Sequence, residues 1–114
     1  MLTHVVMLKF NSGVEESDIE ELENMLDDLP NKINELHSYE FGRNIINSPG
    51  SYDFALVSLF ANPEALERYN QHRHHQPVLN KIKQICDTVA TVDFQGSDAG
   101  SVNVERTGWD ITPF

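Results

Sequence analysis

Stretches rich in β-branched and aromatic residues alternate along the chain with stretches whose apolar residues recur at helical spacing. The first kind is typical of short strands, and the Gly-, Asn- and Ser-rich breaks beside them are typical of turns. Gly42 lies within the second such stretch and predicts a β-bulge there. Strands are predicted at residues 3–10, 35–46, 52–60 and 88–94.

Two helical regions separate these strands. In the first, Ser17 and Glu20 match a capping box, and Pro30 predicts the end of the helix. In the second, Asn62 followed by Pro63 is a typical helix start. A histidine-rich segment interrupts the second region, and a further helix follows it. The predicted order is therefore β-α-β-β-α-β, with the second helical region split in two.

This order predicts an α+β, ferredoxin-like fold with a four-stranded antiparallel sheet and both helical regions on one face. The strands are largely apolar on both faces, so the face without helices also needs a cover. A homodimer joined through the helix-free sheet face provides one. The alternative is that a C-terminal tail covers this face. We predict a domain at residues 1–96 and a tail at 97–114 that packs on the domain or on the partner subunit.

The charge balance narrows the range of partners. The 18 acidic and 8 basic residues give a net charge of −10, which argues against binding to nucleic acid or to an anionic membrane surface. No apolar run approaches the roughly 20 residues of a membrane-spanning helix. The one cysteine, Cys86, excludes an internal disulfide and is predicted on the apolar side of the last helix. We therefore expect a cytoplasmic protein.

Three of the five histidines lie in one short segment, residues 72–75, just after Tyr69. Histidine exchanges protons near neutral pH, and a tyrosine hydroxyl can donate to a developing oxyanion. Tyr69 ends a helix that packs on the sheet, and His4 lies on the strand face assigned to the helices. Tyr69, His75 and His4 can therefore meet in one cavity. Alternatively the histidines are structural, or His72 and His75 bind a metal, for which no third ligand is evident.

Several short motifs also occur together in a recognisable order. They are His4–Phe10, Gly42, Tyr52–Phe60, Leu66 with Tyr69, the histidines ending at His75, and Val92–Phe94. In this order they resemble the stress-responsive A/B barrel domain family, the dimeric α+β barrel proteins, over residues 2–95. The resemblance implies a ferredoxin-like fold in which the sheets of two subunits form a barrel. It fixes no activity, because many members of the family have none established.

One member of this family is a plant polyketide cyclase, and similarity to it implies roles for particular residues here. Its tyrosine matches Tyr69 and its catalytic base matches His75. A first-strand histidine of its cavity matches His4, and the first histidine of its loop matches His72. The cyclase performs an aldol cyclisation without a cofactor, so the resemblance implies neither a cofactor nor a metal.

Two departures from the cyclase leave two functions open. Arg73 replaces a proline of the family's histidine motif, and Phe54 replaces a third-strand histidine. One function is a non-catalytic, stress-associated module that can bind a small apolar or carbonyl-containing ligand. The other is a cyclase-like enzyme in which His75 removes a proton next to a carbonyl and Tyr69 stabilises the enolate. A cavity of about 300 Å³ or more favours the enzyme over a fully packed interior. The predicted ligand contacts are His4, Val6, Leu8, Phe54, Leu56, Phe60 and His72.

Overall fold

The computed structural model describes residues 1–96. Its elements are β1 (Leu2–Phe10), α1 (Glu16–Lys32), β2 (Ser38–Arg43), β3 (Phe54–Phe60), α2 (Pro63–Gln71), α3 (Gln76–Ile85) and β4 (Cys86–Gln95). The four strands form one sheet in the order β2-β3-β1-β4, and every neighbouring pair is antiparallel. The predicted ferredoxin-like α+β fold is therefore confirmed.

The hydrophobic core lies between the helices and one face of the sheet. Leu8, Phe54 and Phe60 enter it from the sheet, and Leu22 and Leu26 enter it from α1, all of them fully buried. Leu8 pairs directly with Phe54 across β1 and β3, so their side chains share one face. Burial of an apolar side chain of this size contributes roughly 1.5–3 kcal/mol. This layer therefore fixes the helices against the sheet.

The start of α1 differs from the prediction. The cap is Glu15, and the Asp18 carboxylate accepts a hydrogen bond from the Glu15 backbone N–H at 3.2 Å. The predicted cap at Ser17 with Glu20 is wrong. The same three-residue spacing of a capping pair occurs twice in this acidic segment, and the structure uses the earlier pair.

Pro30 does not end α1. It lies inside the helix, which continues to Lys32. A proline removes one backbone donor and crowds the preceding turn. The last turn nevertheless persists because Leu29 and Ile33 on either side of the proline are buried in the core, and Ile33 donates its backbone N–H to the Leu29 carbonyl at 2.9 Å.

The second strand is shorter than predicted. Gly42 pairs in regular register with Ala55, so the predicted bulge at Gly42 is wrong. Ile45 and Ile46 lie in the predicted strand but are exposed in the loop that follows β2. Since their side chains have no core to pack against, β-branched composition alone does not extend the sheet there.

The second helical region follows the prediction closely. The Asn62 side chain caps α2 by accepting the Ala65 backbone N–H at 2.8 Å, and Pro63 is the first helical residue. The histidine-rich segment separates α2 from α3. Cys86 was expected on the last helix, but α3 ends at Ile85 and Cys86 is the half-buried first residue of β4.

The sheet face without helices carries exposed apolar side chains. Val57, Val92 and Phe94 on this face are 40%, 51% and 48% exposed. The tail predicted to pack at residues 97–114 lies outside the described residues. Within residues 1–96, no helix is both long and apolar enough to cross a membrane.

Candidate functional site

A cavity of about 450 Å³ lies between the sheet and α3. Its apolar wall comes from the two central strands, from α3 and from the edge strand β4. The volume falls within the range of small-molecule sites, which begins at about 300 Å³. The apolar residues that line it are Val6, Leu56, Val78, Leu79, Ile82 and Val89.

The cavity has a closed end and an open end. Tyr69 and His75 line it and are only 3% and 7% exposed, so we call their side the closed end. On β4, Val89 is 48% exposed, and Asp93 is exposed as well. We call the side formed by these β4 residues and by the exposed Lys83 the mouth. A ligand can therefore enter beside β4 and reach the tyrosine and histidine.

Local structure sets the position of each functional side chain. Tyr69 lies in the last turn of α2 and faces the sheet. His75 is the residue before α3, and its backbone N–H donates to the His72 carbonyl at 2.9 Å, which tightens the turn between the helices. His4 reaches the cavity because alternate residues of β1 face the helices. The structure thus brings Tyr69, His75 and His4 to one cavity.

Tyr69 and His75 are in direct ring contact. Their ring centroids are 4.1 Å apart, and the centroid of the Phe60 ring lies 5.0 Å from that of Tyr69. Burial raises the pKa of Tyr69 to about 12, so its hydroxyl remains protonated at neutral pH. A protonated phenol can donate a hydrogen bond to an oxygen of a ligand.

The His75 ring is held as a neutral imidazole. Burial lowers the pKa of His75 below its ordinary value of 6.5, and the charges of His4 and His72 lower it further. A hydrogen bond with the Asn70 carbonyl acts in the opposite direction and raises this pKa, but it does not outweigh burial. Nδ1 lies 3.5 Å from that carbonyl oxygen. Since a carbonyl oxygen only accepts, we assign the ring proton to Nδ1. Nε2 is then free to accept a proton.

Asp93 is a site residue that sequence analysis missed. Its carboxylate contacts Nδ1 of His4, and both residues line the cavity. The two are direct cross-strand partners in the antiparallel pairing of β1 with β4. A carboxylate on Nδ1 orients a histidine ring. Side chains along β4 alternate between the two faces of the sheet, so Asp93 lies on the same face as Val89 and Thr91. This alternation is the feature of the sequence from which Asp93 could have been predicted as a site residue.

Four predicted ligand contacts do not line this cavity. Leu8, Phe54 and Phe60 are fully buried in the core. Phe60 supports the site indirectly by packing on Tyr69. The His72 ring stacks on His74 at 5.3 Å, and its Nδ1 accepts the His74 backbone N–H at 3.1 Å. The other predicted contacts, His4, Val6 and Leu56, do line it.

The two histidines considered as a metal pair have separate surroundings. His75 packs on Tyr69, whereas His72 stacks on His74. Among residues 1–96, no three His, Cys, Asp or Glu side chains are grouped so that they could hold a metal ion.

The stress responsive A/B barrel domain family matches residues 2–95 of the chain. This chain belongs to that family. The uncharacterized protein SCO4036 of Streptomyces coelicolor is 35% identical to this chain over 78 residues. The aligned part covers 67% of this chain and 80% of that relative.

Solved structures resemble this A/B barrel domain closely. A dimeric ferredoxin-like protein of unknown function from Thermobifida fusca has a TM-score of 0.76 and 28% identity, covering 82% of this chain and 88% of that one. The Arabidopsis thaliana protein At3g17210 has a TM-score of 0.75 and 26% identity, covering 84% and 88%. These similarities agree with the fold described above.

Proposed function

We propose that this A/B barrel protein binds a small apolar carbonyl compound in the cavity between the sheet and α3. The observation that carries the proposal is an apolar cavity of about 450 Å³ whose closed end holds the buried pair Tyr69 and His75. The apolar wall favours a hydrocarbon skeleton, and the Tyr69 hydroxyl supplies a donor for a carbonyl oxygen. A stress-associated role in the cytoplasm is part of the same proposal.

Titration with a neutral ketone tests this proposal. We use methyl 9-oxodecanoate as the probe and measure its binding by isothermal titration calorimetry. The wild type should bind it, and Val89→Trp should abolish binding because the larger side chain fills the mouth. Circular dichroism checks that the variant is folded. Absence of binding to the wild type, or equal binding to the variant, would contradict the proposal.

A second candidate function is proton abstraction next to the bound carbonyl. The contact between Tyr69 and His75 favours it, since one group can donate to an oxygen while the other accepts a proton. Nε2 of His75 takes a proton from the carbon beside the carbonyl. The electron pair of that C–H bond forms a C=C bond to the carbonyl carbon, the C=O π pair moves to the oxygen, and the Tyr69 hydroxyl stabilises the enolate. Attack of the enolate carbon on a second carbonyl of the same ligand forms the new C–C bond, and return of the proton from His75 to the resulting alkoxide completes an aldol cyclisation.

Deuterium exchange tests the proton abstraction without knowledge of the natural substrate. In D2O, NMR follows loss of the protons beside the ketone of methyl 9-oxodecanoate. Removal of a general base typically slows a reaction by at least about 100-fold, so His75→Gln should reduce exchange by that factor. His74→Gln is the matched control, because this neighbouring histidine does not line the cavity. Equal exchange in the His75 variant and the wild type would exclude His75 as the base.

We further propose that the helix-free sheet face joins two copies of the chain. Its exposed Val57, Val92 and Phe94 support this face as the interface, as does the dimeric state named for the Thermobifida fusca relative. Sedimentation velocity should show a dimer for the wild type and a monomer for Val92→Glu. Val89→Glu is the matched control, since Val89 lies on the same strand with 48% exposure but on the opposite face. A monomeric wild type would refute the proposed interface.

A further inference from the structure

Lys83 is the one lysine or arginine that lines the cavity within residues 1–96. It lies in the last turn of α3 and is exposed at the mouth. Among the ion pairs of these residues, none includes Lys83. The chain has 18 acidic and only 8 basic residues, so most basic side chains have an acidic residue available for pairing. A lysine that lines the cavity without an ion-pair partner is therefore a candidate for binding a ligand.

The geometry of α3 explains why Lys83 remains unpaired. Lys81, two residues earlier, pairs with Asp18 at 3.1 Å and with Glu21 at 2.7 Å, both on α1. Residues two apart on a helix do not share a face. Lys81 therefore faces the acidic helix, whereas Lys83 faces the cavity.

The carboxylate across the mouth is already engaged. Asp93 lines the cavity but contacts Nδ1 of His4, its partner in the sheet. Lys83 and Asp93 are not within ion-pair distance of each other. The Lys83 ammonium group is therefore available at the mouth for a ligand that carries a negative group.

The position of Lys83 also sets the length of such a ligand. His75 precedes α3, and Lys83 follows it by eight positions, a rise of about 12 Å along the helix. We propose that Lys83 binds the carboxylate of an oxo acid whose ketone lies at the closed end. The ketone and the carboxylate of such a ligand are roughly 10 Å apart, a distance of the same order as the helical rise. This inference rests on the proposed function of the cavity and adds the chemical class of its ligand.

The test compares 9-oxodecanoate with its methyl ester, because the two probes differ only in the charge at one end. Calorimetry measures both with the wild type, with Lys83→Gln and with the control Arg73→Gln. Arg73 is exposed, is absent from the same ion pairs and does not line the cavity. An exposed charge pair supports a modest effect, so Lys83→Gln should weaken binding of the acid about threefold and leave the ester unchanged. Arg73→Gln should change neither.

High salt provides a second readout. Screening should weaken binding of the acid to the wild type and leave its binding to Lys83→Gln nearly unchanged. Equal affinities of the wild type and Lys83→Gln for the acid would overturn the inference, as would an equal loss for acid and ester. In either case the cavity proposal stands if the ester binds the wild type. If the ester fails to bind the wild type, the cavity proposal fails and the inference falls with it.

Discussion

Tyr39 offers a test of the core beside the cavity. It lies on β2 with its ring against Phe41 at a centroid distance of 6.0 Å. Its hydroxyl oxygen is buried and has no hydrogen-bond partner among residues 1–96. Burial raises the pKa of Tyr39 well above its usual range, and the nearby Tyr69 raises it further, although the two hydroxyls form no hydrogen bond of normal geometry.

Tyr39→Phe should therefore stabilise the fold. The substitution removes the hydroxyl and keeps the ring, so packing against Phe41 persists. A buried polar group without a partner costs about 1–3 kcal/mol. Taking the lower end, we expect the free energy of unfolding to rise by about 1 kcal/mol, and Tm to rise by about 4–8 °C for a domain of this size.

Calorimetry at one fixed protein concentration measures this shift, because dimerisation makes Tm depend on concentration. Tyr52→Phe is the matched control. Tyr52 lies in the loop before β3, and its hydroxyl is not among the buried, unpartnered groups. We expect little change there. A loss of stability in Tyr39→Phe would show that the Tyr39 hydroxyl has a partner, and the reasoning would be refuted.

Two further predictions concern stability. Asn62→Ala removes the side chain that accepts the Ala65 N–H at 2.8 Å, so urea unfolding should show a loss of about 1 kcal/mol; an unchanged midpoint would mean that the cap contributes nothing. The pKa of His75 is lowered on folding, so below its ordinary value of 6.5 the unfolded chain binds more protons than the folded one. Stability should thus fall as pH drops through 6.5, and less so in His75→Asn; parallel pH profiles would contradict this.

The sequence was sufficient to predict the order of the elements along the chain and the sheet face on which the candidate cavity lies. Alternation places His4 and Val6 toward the helices whatever the details of packing. Alternation does not say which part of a strand each helix covers. Leu8 and Phe54 share the site's face yet are buried in the core and do not line the cavity.

The contact between His4 and Asp93 could not be read from either strand alone. It depends on the register of β1 against β4, and these two strands are separated in sequence by all the other elements of the domain.

The Pro30 prediction failed for a different reason. A local rule for ending helices is outweighed when buried neighbours, here Leu29 and Ile33, hold the last turn in place.

The pairing of the first strand with the last has a consequence for biosynthesis. Leu2 pairs with Gln95, and the Gly96 N–H donates to the Met1 carbonyl at 2.9 Å. Contacts between residues so distant in sequence form late, because closing a long loop costs entropy before any pairing is gained. A ribosome-bound chain that lacks β4 is missing one wall of the ligand chamber, the wall that Val89, Thr91 and Asp93 supply. We therefore expect the small molecule to act on the finished domain, as a stabiliser of the folded product rather than a guide to its folding.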